Sequence, residues 1–266
     1  MRIARTVTEP SLLLELAGVS KRFGGLVAVS ELSMTVAPAT IHGLIGPNGA
    51  GKSTVFNVVA GVLRPTSGEI RFKGERISGL RPSAICRRGI ARTFQASTLF
   101  AESSVLENVL IGGHIHATTA FLPTLVRGAS YRSAERALRV RAEALLSSLG
   151  LADVSGHRAG SLPHRDQKAL CLAMVLATGA ELVILDEPLA GLAAQESQDT
   201  IAALRRLRGD GKTILLVEHD MRAVMELCDV VTVLDHGVRI AEGTPREVQA
   251  NAAVIEAYLG AEDAHA

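Results

Sequence analysis

The sequence predicts an α/β fold built on a mainly parallel sheet, with an antiparallel β part and a helical part attached. Three observations predict it. Short apolar runs of strand length alternate with amphipathic segments of helix length, the pattern of parallel strands joined by crossover helices. One buried strand, over residues 40–45, runs into a Gly-rich turn and then into a helix. Between about residues 102 and 160 the apolar spacing becomes helical.

Residues 12–19 and 26–36 are short, partly alternating apolar runs broken by Gly24-Gly25 and Pro38, and are expected to be strands of the antiparallel part. A helix is expected from Ser53 to Gly61, and further strand pieces flank a turn at Lys73-Gly74. In the helical part Leu138, Ala142, Leu145, Leu146 and Leu149 recur at helical spacing, with Gly150 where a C-terminal glycine belongs. Residues 118–132 are expected to be an irregular, mobile loop. The continuous apolar run Leu182 to Leu185 fits a parallel strand covered on both faces. A helix over residues 195–207 and a strand over 213–217 follow. Asp220 is placed to cap the next helix, a strand covers 230–234, and Thr244-Pro245-Arg246-Glu247 is a capping box with proline at the first helical position.

Composition narrows the function. The 266 residues are 47% hydrophobic, enough for a large core. The net charge of +1 and the absence of Trp, with 3% aromatics, argue against nucleic acid as a partner. Cys86, Cys171 and Cys228 form no CxxC pair and are expected to be free thiols. The longest apolar run, residues 170–177, is far short of the roughly 20 residues needed to span a bilayer. The chain is therefore expected to be soluble, with residues 1–11 a disordered tail.

The sharpest chemical signal is Gly46-Pro47-Asn48-Gly49-Ala50-Gly51-Lys52-Ser53, followed by Thr54. It fits G-x-x-x-x-G-K-[ST] between a strand and a helix, the context of a phosphate-binding P-loop. Glycines let backbone N–H groups curl around phosphate, and the helix N-terminus favours negative charge. Lys52 is expected to reach the β- and γ-phosphates and Ser53 to hold Mg²⁺. A second signal is the strand Leu182-Val183-Ile184-Leu185 ending in Asp186-Glu187. An apolar run ending in two acids is common by itself, but with a P-loop upstream it gains a role. Asp186 is expected to bind Mg²⁺ through water and Glu187 to polarise the attacking water.

With these motifs in this order, the chain resembles the ATP-binding subunits of ABC transporters over about residues 12–260. The resemblance implies a RecA-like P-loop NTPase core in a single ABC ATPase domain, 12–262. Within it, 12–95 and 166–262 form the β subdomain and core, and 96–165 the helical subdomain. It implies ATP and Mg²⁺ as cofactors and ATP hydrolysis as the activity. Gln95, in Ala91-Arg92-Thr93-Phe94-Gln95, matches the glutamine that touches Mg²⁺. His219, in Leu216-Val217-Glu218-His219-Asp220, matches the histidine that contacts the γ-phosphate. Phe23 sits where the family places an aromatic against adenine.

The stretches Phe23 to Val29 and Val105 to Leu110, the insertion after His114 and the tail Val254 to Gly260 resemble the branched-chain amino acid uptake branch. That resemblance implies a second, different ATPase chain, two membrane permease subunits and a substrate-binding protein. It also implies a peripheral place on the cytoplasmic face of the inner membrane. Urea or amide uptake, lipopolysaccharide export and a soluble non-transport ABC ATPase are the alternative readings.

One loop departs from the family. The ABC signature, usually Leu-Ser-Gly-Gly-Gln, is here Leu162-Pro163-His164-Arg165-Asp166. Glycine at the fourth place lets the backbone approach the γ-phosphate held by the opposite subunit. Arg165 adds a side chain there, and Pro163 removes a hydroxyl and an N–H donor. Ala193 and Ala194 also replace the usual Asp or Asn and Pro. These changes favour a heterodimer with unequal ATP sites; a guanidinium of Arg165 serving the phosphate is one alternative, and a drifted, inactive gene copy is another, against which the intact Lys52, Asp186, Glu187 and His219 argue.

Overall fold

The computed structural model describes residues 12–93, 99–116 and 129–263, with side chains given for slightly fewer. The chain divides into two compact units, one of residues 1–81 with 207–266 and the other of residues 82–206.

The first unit holds two sheet regions. Strands β1 (Leu14–Phe23), β2 (Leu26–Val36), β4 (Ser67–Phe72) and β5 (Glu75–Arg76) form an antiparallel sheet in the order β2-β1-β4-β5. Gly24-Gly25 closes the β1–β2 hairpin, where Phe23 pairs with Leu26. The second region is built on β3 (Ile41–Ile45), with every residue buried. It is flanked in parallel by β8 (Thr213–Val217) and β9 (Val230–Asp235), and β10 (Val238–Gly243) pairs antiparallel with β9. Burial on both faces is why β3 and β8 read as continuous apolar runs.

Helices complete this unit. α1 (Lys52–Val59) follows β3 and buries Val55, Phe56, Val58 and Val59. α7 (Met221–Leu227) starts at Asp220, whose side chain accepts from Arg222 and Ala223 N–H. α8 (Pro245–Gln249) starts with the expected capping box of Thr244 and Glu247, and α9 (Ala252–Asp263) follows it.

A buried polar chain crosses this unit. His42, 1% exposed, bonds through Nε2 to Thr232 Oγ1 at 2.8 Å, and that hydroxyl donates to Glu242 Oε2 at 3.0 Å. The Thr232 proton goes to the carboxylate, so the ring nitrogen facing Thr232 is the donor. Burial pulls the His42 pKa down to about 4, against the opposing pull of the Glu242 charge.

The second unit pairs β6 (Ile90–Arg92) in parallel with β7 (Leu182–Asp186). Its helices are α2 (Pro82–Arg87), α3 (Val105–Gly113), α4 (Ala129–Ser148), α5 (His164–Ala177) and α6 (Ala194–Gly209), the last running across the unit boundary. Their shared core contains Val105, Val109, Ala142, Leu146, Leu162 and Leu170. Ser104 and Glu107 form a capping box at the start of α3. Gly150, at φ 73°, follows the end of α4 as expected.

Some expectations shift. Residues 129–132, expected to be irregular, are the first turn of α4; of the expected loop, 118–128 lies outside the described residues. The short elements α2 and β6 had no signal in the apolar spacing. The three cysteines are free, as expected. Burial raises Cys171 to about 11, against the charge of Lys168. It raises Cys228 to about 12, helped by the charges of Asp229 and Glu218. No helix among the described residues is long and apolar enough to cross a membrane.

Candidate functional site

In the first unit the phosphate loop leaves the C-terminal end of β3. Gly46 (φ 145°), Gly49 (φ 81°) and Gly51 (φ 100°) bend it into a cradle. Gly46 is the most constrained of these, because a Cβ there would lie 2.0 Å from Leu234 O; at Gly51 it would lie 2.4 Å from Ala28 O. Gly51 is also the N-cap of α1, offers no side-chain cap, and the first turn carries no acid. The leading N–H groups of α1 are thus left for an anion. Lys52, 6% exposed, lies back along the loop, its Nζ donating to Gly46 O at 2.7 Å and Pro47 O at 2.8 Å. Backbone carbonyls thus hold the ammonium at the cradle.

Later parts of the chain brace this loop. Gly237 N–H, in the β9–β10 turn, donates to Ala50 O at 3.0 Å, and Gly237 O accepts from Ser30 N–H at 2.8 Å. Tyr258 on α9 is half-buried; burial raises its pKa, opposed by a hydrogen bond with the Gly46 backbone. Sequence reasoning missed both braces, since neither residue belongs to a local pattern.

His219 follows β8, whose C-terminal end lies beside that of β3, and it is exposed. Ligands of α/β sheets gather at such strand ends. Phe23 is 44% exposed with the Lys21 ammonium 4.9 Å from its ring centroid.

In the second unit Asp186 ends β7, and Arg92 Nη2 from β6 meets its Oδ2 at 2.6 Å. Thr93 N–H donates to Ile184 O at 2.9 Å, tying the two strands just before Gln95, which lies outside the described residues. Glu187 adopts φ 49°. A left-handed backbone at a residue with a Cβ costs about 1–2 kcal/mol, so the surroundings must hold it. Ala190 N–H returns to Glu187 O at 3.3 Å, closing a turn after it.

The altered signature segment lies in the same unit. Leu162 is buried in the helical core, while Pro163, His164 and Arg165 are exposed and open α5. Pro163 is the N-cap of α5 without a side-chain cap. Arg165 Nη2 pairs with Asp199 Oδ2 of α6 at 3.2 Å, a contact invisible in the sequence. Asp166 is the acid in the first turn of α5, where the helix dipole favours it.

A P-loop entering a helix from a parallel strand, with an Asp-Glu pair ending a second parallel strand, defines a nucleotide-hydrolysing cassette. Comparison with known proteins agrees: the ABC transporter family matches residues 29–190. The chain belongs to the ABC transporter ATP-binding family and is an ABC ATPase. Within it, residues 238–264 match a family described as branched-chain amino acid ATP-binding cassette transporter. The chain is 41% identical over 249 residues to the high-affinity branched-chain amino acid transport ATP-binding protein BraF of Pseudomonas aeruginosa, covering 93% of this chain and 98% of that protein. It is 40% identical, with the same coverage, to the corresponding protein LivG of Escherichia coli K12. Among solved structures, a nucleotide-free ATP-binding cassette from an ABC transporter aligns with a TM-score of 0.82 at 29% identity, covering 93% of this chain and 98% of that one. A cassette in its ADP conformation gives 0.82 at 29% identity as well, covering 94% and 99%.

Proposed function

We propose that this chain is the ATP-hydrolysing subunit of an importer for branched-chain or chemically similar hydrophobic amino acids, working at the cytoplasmic face of the inner membrane with two permease subunits, a substrate-binding protein and a second, different ATPase chain. The observation that carries this is similarity along nearly the whole chain to two ATP-binding proteins of high-affinity branched-chain amino acid transport. The match of residues 238–264, which include Tyr258, supports the same branch.

The residues have separate tasks. Gly46, Pro47, Asn48, Gly49, Ala50 and Gly51 present backbone N–H groups to the phosphates, with Thr54 behind them on α1. Lys52 stabilises charge on the transferred phosphoryl group. Phe23 stacks on the base. Ser53 and Asp186, with Gln95, hold Mg²⁺; hydroxyl, carboxylate and amide are the hard oxygen donors that this ion takes. Mg²⁺, when bound, neutralises charge on the phosphate oxygens. Glu187 takes the proton of the attacking water and His219 contacts the γ-phosphate.

The signature segment supports unequal sites. Each ATP in this family lies between one P-loop and the signature of the opposite subunit. This chain offers an unaltered P-loop but Pro163, His164 and Arg165 in place of small donors. Arg165 is engaged by Asp199, which favours the heterodimer over a guanidinium that serves phosphate. The test is genetic and biochemical. Deleting the gene should abolish high-affinity uptake of labelled leucine, isoleucine and valine, and the wild-type chain but not Glu187→Gln should restore it. Glu187→Gln should still bind ATP and trap a closed ATPase pair. Unchanged uptake after deletion rejects the cargo; loss of ATP binding in Glu187→Gln rejects the role of that residue.

A further inference from the structure

The first turns of α5 reach one short stretch of chain with three side chains. Lys168 Nζ donates to Glu187 O at 3.0 Å, to Pro188 O at 3.3 Å and to Ala190 O. The His164 ring lies against Gly191, where a Cβ would stand 3.3 Å from His164 Cε1. Arg165 pairs with Asp199. All of these partners belong to residues 187–199, the segment that leaves β7 and begins with Glu187.

The chemistry of Lys168 fits the task closely. An ammonium has three N–H donors and no acceptor, and three carbonyls converge on it. Carbonyl dipoles turned toward one point repel one another unless a cation lies between them, and charge-assisted bonds of this kind are the strong ones. Downstream of the Glu187 turn, Ala193 N–H donates to Glu196 Oε2 at 2.9 Å, and Leu189 is buried. The segment's own turn bonds are long, 3.3 Å from Ala190 N–H to Glu187 O and 3.2 Å from Leu192 N–H to Leu189 O. It contains two left-handed residues, Glu187 at φ 49° and Gly191 at φ 73°. Ala193 and Ala194 supply no polar side chain. The Arg165–Asp199 pair is nearly half exposed on both sides, so it contributes less than Lys168.

We propose that the start of α5 is a tether for residues 187–199, with Lys168 the positioning residue that holds the left-handed backbone carrying Glu187. The inference rests on the reading of Glu187 as the group that activates water. It gives His164 and Arg165 a task within their own chain: they hold the segment after Glu187. Lys168 acts through Glu187 and touches no nucleotide.

The experiment compares Lys168→Met, which keeps length and loses the donors, with Lys168→Arg, which keeps charge and several donors. ATP hydrolysis is measured in the assembled transporter, ATP affinity by direct binding, and amide hydrogen exchange over residues 187–199 in the full chain. Lys168→Met should lower kcat about tenfold with ATP affinity within about twofold, and should speed exchange at residues 189–193. Lys168→Arg should recover most of the rate and the protection. Should Lys168→Met not fold, Lys168→Gln, with two amide donors, should lie between the two. A kcat within twofold of wild type, unchanged exchange at 189–193, or a loss that follows ATP affinity overturns the proposal. Glu187→Gln is the control: if it hydrolyses ATP normally the role of Glu187 fails, and the tether is then decided by exchange alone.

Discussion

The phosphate loop and the signature segment are shaped by different kinds of atoms. In residues 46–53 the backbone does the shaping. Three left-handed glycines, two carbonyls on Lys52 and a helix N-terminus need few particular side chains beyond the lysine and the serine. In residues 162–168 the side chains do it. Leu162 anchors the segment in a core, His164 and Arg165 face residues 191 and 199, and Lys168 gathers three carbonyls. A backbone-made site tolerates almost no change in its motif, because each glycine is required by geometry. A side-chain-made segment can trade one set of contacts for another. That difference accounts for an intact P-loop and an altered signature in the same chain.

The largest effect should come from the one side chain the cradle cannot spare. Lys52→Ala should lower ATP hydrolysis by the assembled transporter about 10²-fold or more, about 3 kcal/mol of barrier. Steady-state phosphate release measures it; a rate within a few-fold of wild type breaks the P-loop side of the comparison.

The next effect is an acid sensitivity of stability set by His42, in the unit that carries the phosphate loop. His42 titrates at about 4 in the folded protein, against about 6.5 unfolded. A depressed folded value means the unfolded chain binds more protons between these limits. Stability is therefore full above about pH 6.5 and is lost as pH falls toward 4. At pH 5 the loss from this group is about 2 kcal/mol. Urea unfolding at pH 7 and pH 5 should show that much more acid sensitivity in wild type than in His42→Gln, which keeps an amide donor for Thr232. Equal sensitivity in both proteins removes His42 from the account.

The smallest effect concerns the signature. The pure chain should hydrolyse ATP poorly, and a second ATPase chain with an unaltered signature should restore the rate. Combining Pro163→Ser, His164→Gly and Arg165→Gly gives up two of the weaker tether contacts but keeps Lys168, and should raise the activity of the pure chain about tenfold, about 1.4 kcal/mol, by returning donors to the far side of the γ-phosphate. A pure wild-type chain that already matches the pair would end the argument for unequal sites.

What could be read from the sequence follows this division. The P-loop was legible because its glycines, lysine and serine are contiguous and each has a local reason. The capping box at Thr244 and the cap at Asp220 are also local, as is the buried strand before Asp186. Lys168, Arg92 and Tyr258 were opaque for the opposite reason. Their partners lie far along the chain, and nothing in a run such as Gln167-Lys168-Ala169 says that three carbonyls will meet there. Short elements such as β6 and α2 carry too few residues to display a period. The first turn of α4 was hidden by a small, polar start, Ala129-Ser130-Tyr131-Arg132, without apolar spacing.

The bond from Gly237 to Ala50 also sets a schedule for biosynthesis. The phosphate loop leaves the ribosome early, but β3 lies between β8 and β9, and the brace at Gly237 follows β9. Roughly 190 residues separate the loop from that brace, which at bacterial or eukaryotic elongation rates is about 10–40 s of synthesis. For most of that interval, until β8 and then β9 are made, the strand before the loop has no neighbour on either side, so nucleotide can bind the loop in finished form only after β9 and Gly237 have been added. A ribosome-bound chain arrested before β9 should not be retained on immobilised ATP, whereas a released full-length chain should be.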